Sequence, residues 1–213
     1  MTEPPGRRER KKAATRQKIA DTALQLFRER GYDEVGIRDI AAEADVAVTT
    51  LFSHFASKEA LVFDQDRDFE QRLTRAVTDR APHEPLIPAL RHQIRALVRH
   101  CTADGTAPFW LMIDETPALR KYESSMRLRH AESLATAIAA DPDLAQTPTA
   151  ARTIARFVID AFSLAREAPD PDAAVDEIFR MIEAAWEVTH HPSPVQGATT
   201  ARETKADRAG SNR

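Results

Sequence analysis

The sequence predicts an all-α protein built from two helical regions. Of its 213 residues, 42% are hydrophobic but only 6% are aromatic, and glycine occurs just 6 times. This balance, with its abundant alanine, favours helices over sheets. The 13 prolines fall between segments of helical apolar spacing, where a proline begins or ends a helix. A chain of this length buries a substantial core and can form two domains.

The N-terminal region predicts three short helices with tight turns. The first spans about residues 15–30, the second about 37–43 and the third about 47–54, each with apolar side chains on one face. Asp45 occupies the turn between the second and the third. This is the layout of a helix-turn-helix DNA-binding domain.

A long fourth helix is expected from Ser57, its N-cap, to about residue 79, and it would join the two regions. Thr147-Pro148 and Asp170-Pro171 each place a capping residue before a proline at the first helical position. The remaining helices are predicted at about 86–102, 107–115, 117–140, 148–166 and 171–189.

Charge is distributed unevenly along the chain. Residues 1–30 hold nine Lys or Arg against four Asp or Glu, whereas residues 59–213 hold 19 against 24. A basic end on an acidic body indicates a polyanion as the partner of the N-terminus, although a merely solvated charged arm would look similar.

Cellular location is expected to be the cytoplasm. Cys101 is the only cysteine, so no disulfide can form within the chain. No apolar run approaches the roughly 20 residues of a membrane span. The charged N-terminus has no apolar stretch behind it, so we expect neither a signal peptide nor membrane association.

Signals for catalysis or metal binding are weak. The sequence contains no nucleophile elbow, phosphate-binding loop, dinucleotide fingerprint or zinc-protease motif. His92 and His100 are eight residues apart on one predicted helix, about 12 Å along its axis, which is too far to share a metal without other ligands. We therefore predict a protein that is not an enzyme, with no catalytic residue, no metal site and no cofactor.

Helix three would present small polar and aromatic side chains while Leu51 and Phe55 point inward. A recognition helix needs such tips to enter the major groove. Thr50 can contact a phosphate or a thymine methyl, and His54 can donate to a phosphate. Lys58 adds charge at the start of the next helix, and Arg38 on helix two can reach a phosphate or a guanine edge.

Two runs, IADTALQLFRERGYDEVGIRDIA and VAVTTLFSHFASKEALV, resemble the TetR family of bacterial transcriptional regulators over residues 15–62. The resemblance implies that double-stranded operator DNA is the partner. It also implies DNA contacts at the positions matching the family motif, which are Arg38, Thr49, Thr50, Phe52, His54 and Lys58.

Three residues depart from the family pattern. Asp45 replaces a common glycine in the turn, but aspartate is among the residues that tolerate such geometry. Phe52 stands where tyrosine is usual, which removes one hydroxyl. Ile37 stands where a hydroxyl residue often caps helix two, which puts that cap and a phosphate contact in doubt.

The resemblance also implies that the last two helices form a homodimer interface, and both helices do carry wide apolar faces. Ordinary packing within one chain would explain such faces equally well. The predicted interface residues are Ile154, Val158, Phe162, Ile178, Ile182 and Trp186.

The middle helices would enclose a pocket for a small-molecule effector. Methionine and aromatic side chains suit an adaptable apolar cavity, although each is also an ordinary core residue. The predicted lining comprises Leu90, Ile94, Leu97, Phe109, Trp110, Met112, Met126, Phe157 and Phe162.

The stretch IDETPALRKYESSMRLRHAESLATAIA resembles a TetR subgroup whose regulatory domain binds acyl-CoA-like ligands. Such a ligand would place its acyl chain in the apolar pocket. A basic side chain would then meet its phosphates, and the candidates are Arg91, Arg95, Arg127 and Arg129.

Together these observations predict a disordered basic arm over 1–14, a helix-turn-helix DNA-binding domain over 15–62, a helical regulatory and dimerisation domain over 63–189, and a disordered tail over 190–213. The function expected is that of a homodimeric repressor released from its operator by a small hydrophobic effector. A TetR-like activator, a regulator without an effector, and a helical protein-interaction adaptor remain alternatives.

Overall fold

A computed structural model describes residues 6–64, 66–81, 83–103, 105–144 and 146–190, and the regular structure of these residues is helical. The helices are α1 Arg7–Arg30, α2 Ile37–Glu43, α3 Val48–His54, α4 Glu59–Val62, α5 Asp66–Thr78, α6 Leu86–Cys101, α7 Ala107–Glu115, α8 Pro117–Ala140, α9 Pro148–Glu167 and α10 Pro171–His190. The predicted all-α fold is confirmed.

The first core lies among α1 to α4. Ile19 and Phe27 of α1 pack with Ile40 of α2 and Leu51 of α3, all of them buried. This core also takes in side chains from much later in the chain, because Ile113 and Leu119 at the junction of α7 and α8 are fully buried within it. The N-terminal region is therefore packed against the body rather than joined to it by one helix alone.

The second core is a helical bundle made of α5, α6, α8, α9 and α10. Leu90 and Ile94 of α6 pack there with Val158 of α9 and Phe179 of α10, and all four side chains are fully buried. Within the residues described, no helix is both long and apolar enough to span a bilayer.

Side-chain caps begin the last two helices, as the sequence indicates. Thr147 accepts a hydrogen bond from the amide of Ala150 at 3.2 Å, and Asp170 accepts one from the amide of Ala173 at 3.0 Å. In each case the cap satisfies an amide that has no partner within its own helix.

The basic segment before Thr15 is helical, which corrects part of the predicted disordered arm. Helix α1 begins at Arg7, and Glu9 accepts a hydrogen bond from the amide of Gly6 at 3.0 Å. Residues 7–14 lack an apolar face, so periodicity did not reveal them, but Arg, Lys, Glu and Ala are strong helix formers. Residues 1–5 of the arm and 191–213 of the tail lie outside the described residues.

The predicted continuous helix over 57–79 is wrong, because helix α4 ends at Val62 and α5 begins at Asp66. Phe63 leaves the helical conformation at ψ 37° and stacks on Tyr122 of α8, with ring centroids 5.4 Å apart. Ser57 does accept a hydrogen bond from the amide of Ala60 at 3.3 Å. Tertiary contacts thus override the helical propensity between the two segments.

The turn between α2 and α3 depends on Asp45, whose φ of 52° lies in the left-handed region. Few residues other than glycine adopt this conformation, and aspartate does so because its short side chain can bond locally. The turn is closed by a hydrogen bond from the amide of Val46 to the carbonyl of Ala41 at 2.9 Å. The predicted tolerance of Asp45 in the turn is thus confirmed.

We expect Asp45→Ala to lower the free energy of unfolding by about 1 kcal/mol, because alanine pays the full steric cost of the left-handed conformation. Asp45→Gly should cause no loss. Urea unfolding at one fixed protein concentration measures both effects. Glu43→Ala, an equally exposed change in the adjoining helix, should shift stability by no more than about 0.5 kcal/mol. Equal stability of the alanine and glycine variants at residue 45 would show that the left-handed conformation there carries no steric cost for alanine.

Candidate nucleic-acid interface and ligand cavity

The outer face of α3 is a polar and aromatic surface backed by a rigid core. Leu51 and Phe55 are almost fully buried, which fixes how the helix is rotated about its axis. Thr49 and Phe52 consequently face solvent, and Phe52 is 51% exposed although it is a large aromatic side chain. Arg38 on α2 is also exposed. These three side chains are free to meet a partner without any change in the fold.

Thr50 and His54 are half-buried on the same helix. Burial lowers the pKa of His54, and the positive charges of Arg16 and Lys12 lower it further. These effects favour the neutral imidazole, and its Nδ1 has no hydrogen-bond partner among the described residues. A neutral imidazole still donates one N–H, so it can reach a phosphate oxygen.

Lys58 is turned back into the protein. Its ammonium donates to the carbonyl of Tyr32 and lies 4.1 Å from the centroid of the Tyr32 ring. Burial lowers the pKa of Lys58, whereas the charges of Asp33 and Glu59 act in the opposite direction. The resemblance implies a DNA contact at Lys58, and in the structure its ammonium is already engaged by Tyr32, with donors left over for a second contact.

The N-terminal extension of α1 carries positive charge that the sequence predicts in a disordered basic arm. Arg7, Arg8, Arg10, Lys11 and Lys12 are exposed on this helix. Lys12 is close enough to His54 to lower its pKa, so the end of this basic segment lies beside α3. The helical propensity of the segment was the signal that could have revealed it.

A cavity of about 340 Å³ lies where α1, the segment after α4, and helices α5 to α9 meet. Its volume is within the range of small-molecule sites. Five of the predicted ligand residues line it, namely Leu97, Phe109, Trp110, Met126 and Phe162.

Four predicted ligand residues lie elsewhere. Leu90 and Ile94 are fully buried in the bundle core, two turns and one turn along α6, respectively, from the cavity residue Leu97. Met112 packs against the N-terminal core, and Phe157 is 46% exposed on the outside of α9. Helical periodicity identifies the buried face of a helix, but it does not distinguish residues that pack in the core from residues that line a cavity.

Apart from Arg127, the polar part of the cavity wall was not predicted from the sequence. Four carboxylates, two arginines and two histidines reach it, namely Asp21, Asp64, Asp68, Glu123, Arg72, Arg127, His100 and His130. Burial raises the pKa of Glu123, while the charges of Arg166 and Arg127 counteract this. Burial also raises the pKa of Cys101 to about 11, so this thiol on the cavity wall stays protonated.

Only one of the four arginines suggested for a phosphate group borders this cavity. Arg127 does so, and it donates to the hydroxyl of Ser163 at 3.0 Å. Arg95 instead pairs with Asp176 of α10, while Arg91 and Arg129 do not belong to the cavity wall.

The residues predicted to form the dimer interface lie on a different side of α9 and α10 from the exposed apolar surface. Ile154, Val158, Phe162 and Ile182 are buried in the core of one chain, and Ile178 and Trp186 pack partly buried against that core. The large apolar side chains that the described parts of these two helices expose are Phe157, Leu164, Met181 and Val188. The apolar face of each helix is wide enough to include both core residues and exposed residues, so the sequence alone did not distinguish the two groups.

Comparison with known proteins identifies the N-terminal region. The family model described as bacterial regulatory proteins, tetR family, matches residues 19–64. The transcriptional regulator TcmR of Streptomyces glaucescens is 32% identical over 123 residues, which are 54% of this chain and 54% of TcmR. The matched segment thus spans about half the length of that relative.

Solved structures match over most of the chain. GusR of Salmonella enterica superposes with a TM-score of 0.56 at 17% identity, covering 82% of this chain and 96% of GusR. The TetR-family repressor FadR of Thermus thermophilus, in complex with lauroyl-CoA, gives a TM-score of 0.52 at 18% identity, covering 79% and 93%. Likeness at this level of identity shows that the fold is shared.

The helix-turn-helix geometry, the matched family model and the shared fold of the whole helical chain agree with one another. Residues 19–64 therefore carry the DNA-binding domain of the TetR family of bacterial regulatory proteins, and relatives that match this part of the chain are transcriptional regulators.

Proposed function

We propose that this protein is a cytoplasmic, homodimeric transcriptional repressor that a small, largely apolar effector releases from operator DNA. The observation that carries the proposal is the exposed face of α3, where Thr49 and Phe52 stand free on a rigid helix within a TetR-type domain. A recognition helix with this geometry enters the major groove of double-stranded DNA.

The contacts proposed on DNA divide into two kinds. Thr49 and Phe52 reach base edges, where their apolar groups suit a thymine methyl. Arg38, Thr50, His54 and Lys58 contact phosphates, together with the basic extension of α1. Phosphate contacts of this kind make the affinity fall steeply with salt concentration.

A second copy of the chain is proposed to cover the exposed apolar surface on α9 and α10. Met181 and Val188 are seven residues apart, as are Phe157 and Leu164, so each pair lies on one side of its helix. Symmetric pairing of this surface would place two recognition helices about one DNA turn apart.

The effector is proposed to occupy the cavity beside α1. The wall is mostly apolar and also contains ionisable groups, which suits an amphipathic molecule. Binding of lauroyl-CoA by FadR supports an acyl-CoA-like ligand, with Arg127 meeting a phosphate. The four carboxylates in the wall favour a less anionic effector, so the acyl-CoA class is the finer and separately testable part of the proposal.

A TetR-like activator would use the same surface, and a promoter–reporter assay distinguishes it from a repressor by the sign of the response. A helical adaptor would not need the surface for DNA at all. Selection of duplexes from a random pool by the wild-type protein tests the DNA-binding proposal directly. A wild-type dimer that enriches no duplex at low salt would overturn it.

Replacing Thr49 and Phe52 together by alanine should weaken binding to the selected duplex by at least tenfold, because base contacts are lost. Both side chains are exposed, so the thermal unfolding temperature should stay nearly unchanged. Fluorescence anisotropy with labelled duplex gives the dissociation constant. Leu128→Ala removes an equally exposed apolar side chain from α8 and serves as the matched control. Equal affinities of the double variant and the control would contradict this role of α3.

Leu164→Asp with Met181→Asp should convert the dimer into a folded monomer, because buried unpaired carboxylates are costly at an apolar interface. Leu164 is 58% and Met181 60% exposed in one chain, so the monomer itself should tolerate the charges. Sedimentation velocity measures the mass, and Leu111→Asp on α7, 57% exposed in wild type, controls for surface charge. A dimer that persists in the double variant would place the interface elsewhere.

Lauroyl-CoA should bind the wild-type protein measurably in a calorimetric titration and lower its affinity for the selected duplex. Arg127→Met should weaken lauroyl-CoA more than it weakens dodecanoate, because the arginine meets a phosphate that the fatty acid lacks. Absence of heat with lauroyl-CoA would remove the acyl-CoA class and leave the DNA-binding proposal intact.

A further inference from the structure

One side chain, Arg16 of α1, touches both the recognition helix and the segment between α4 and α5. Its guanidinium donates to the carbonyl of His54, the last residue of α3, and lies 4.0 Å from the centroid of the Phe55 ring. Its Nε is also 2.7 Å from a carboxylate oxygen of Asp64. Arg16 therefore joins three elements that sequence distance keeps apart.

The contact with His54 fixes the C-terminal end of α3. A carbonyl in the last turn of a helix has no amide partner within the helix, and a cation there also interacts favourably with the helix dipole. Since α3 has only seven residues, the guanidinium lies within two turns of every α3 side chain that is proposed to meet DNA. Arg16 thus contacts the end of the helix whose outer face, the reading surface, carries Thr49 and Phe52.

The contact with Asp64 ties Arg16 to the ligand cavity. Asp64 lines the cavity, and so does Gln17, the neighbour of Arg16 on α1. The carboxylate oxygen facing Arg16 is buried, yet the pair lacks the geometry of a directed hydrogen bond. A pair held mainly by charge is one that a cavity occupant can pull apart.

We infer that the Arg16–Asp64 pair couples the cavity to the recognition helix. With the cavity empty, Asp64 holds the guanidinium over Phe55 and against the His54 carbonyl, and α3 is set for DNA. An occupant that displaces or binds Asp64 releases Arg16 and lowers DNA affinity. This inference rests on the proposed DNA-binding function and makes Arg16 and Asp64 positioning residues.

The Asp64→Asn variant distinguishes the proposed coupling from a general effect of charge on DNA affinity. Removing a negative charge from a DNA-binding domain should strengthen binding if charge alone matters. The coupling instead requires weaker binding to the selected duplex, by about fivefold, at unchanged thermal stability. Asp68→Asn is the matched control, since Asp68 is a carboxylate on the same cavity wall for which the described residues show no ion pair. Its affinity should stay within about twofold of wild type or rise.

A double-mutant cycle gives the second readout. Arg16→Gln should weaken duplex binding by about tenfold, and adding Asp64→Asn to it should change nothing further, because the pair acts as one unit. Independent effects that multiply would overturn the inference, and so would an Asp64→Asn variant that binds as tightly as wild type. A wild-type protein that selects no duplex would instead contradict the proposed DNA-binding function itself.

Cys101 provides a defined occupant for the cavity, because it lines the wall and is the only cysteine in the sequence. Prolonged alkylation with monobromobimane at pH 9 proceeds through the small thiolate fraction and places a fluorescent group there once mass spectrometry confirms complete labelling, with Cys101→Ser as the unlabelled control. The labelled wild type should bind the duplex about tenfold more weakly. The labelled Asp64→Asn variant should match its own unlabelled form. An equal loss in both proteins, or no loss in wild type, would contradict the coupling.

Discussion

A helix of seven residues cannot hold its shape in water, so the recognition helix α3 depends on tertiary contacts for its existence and orientation. Leu51 and Phe55 supply them, each contributing about 2 kcal/mol by burial against α1 and its neighbours. Everything proposed for Thr49 and Phe52 follows from this, because a rotation of α3 that buried them would expose its anchors. The reading surface is therefore only as rigid as the packing of α1 beneath it.

Helix α1 contacts both the N-terminal core and the cavity, and it therefore links the reading surface to the rest of the molecule. One face buries Ile19 and Phe27 in the N-terminal core, while Gln17, Asp21 and Leu24 border the cavity. The N-terminal core is closed from the other side by Ile113 and Leu119, where α7 meets α8. A change in the body can thus reach α3 through packed side chains, without any need for a single long lever helix.

The sequence predicts the helices well because their apolar spacing and proline caps are local signals, as at Thr147 and Asp170. It fails where the decisive contact is distant. The break after Val62 depends on Tyr122 and Arg16, which lie far from it in sequence. Phe157 and Val158 are adjacent on an apolar helix, yet one faces solvent and the other the core. The engagement of Lys58 by Tyr32 likewise has no sequence signature, so motif position alone placed that side chain at DNA.

The position of the cavity bears on what an effector can do. A ligand shifts an equilibrium only by the difference between its affinities for the two states. A pocket enclosed by one rigid body would change little when the DNA-binding region moves. Here Asp21 and Leu24 of α1 face Trp110 and Met126 of the body across the same space, so any shift between the two regions alters the contacts of an occupant. Linkage then requires that DNA change the affinity for the effector by the same factor by which the effector changes the affinity for DNA.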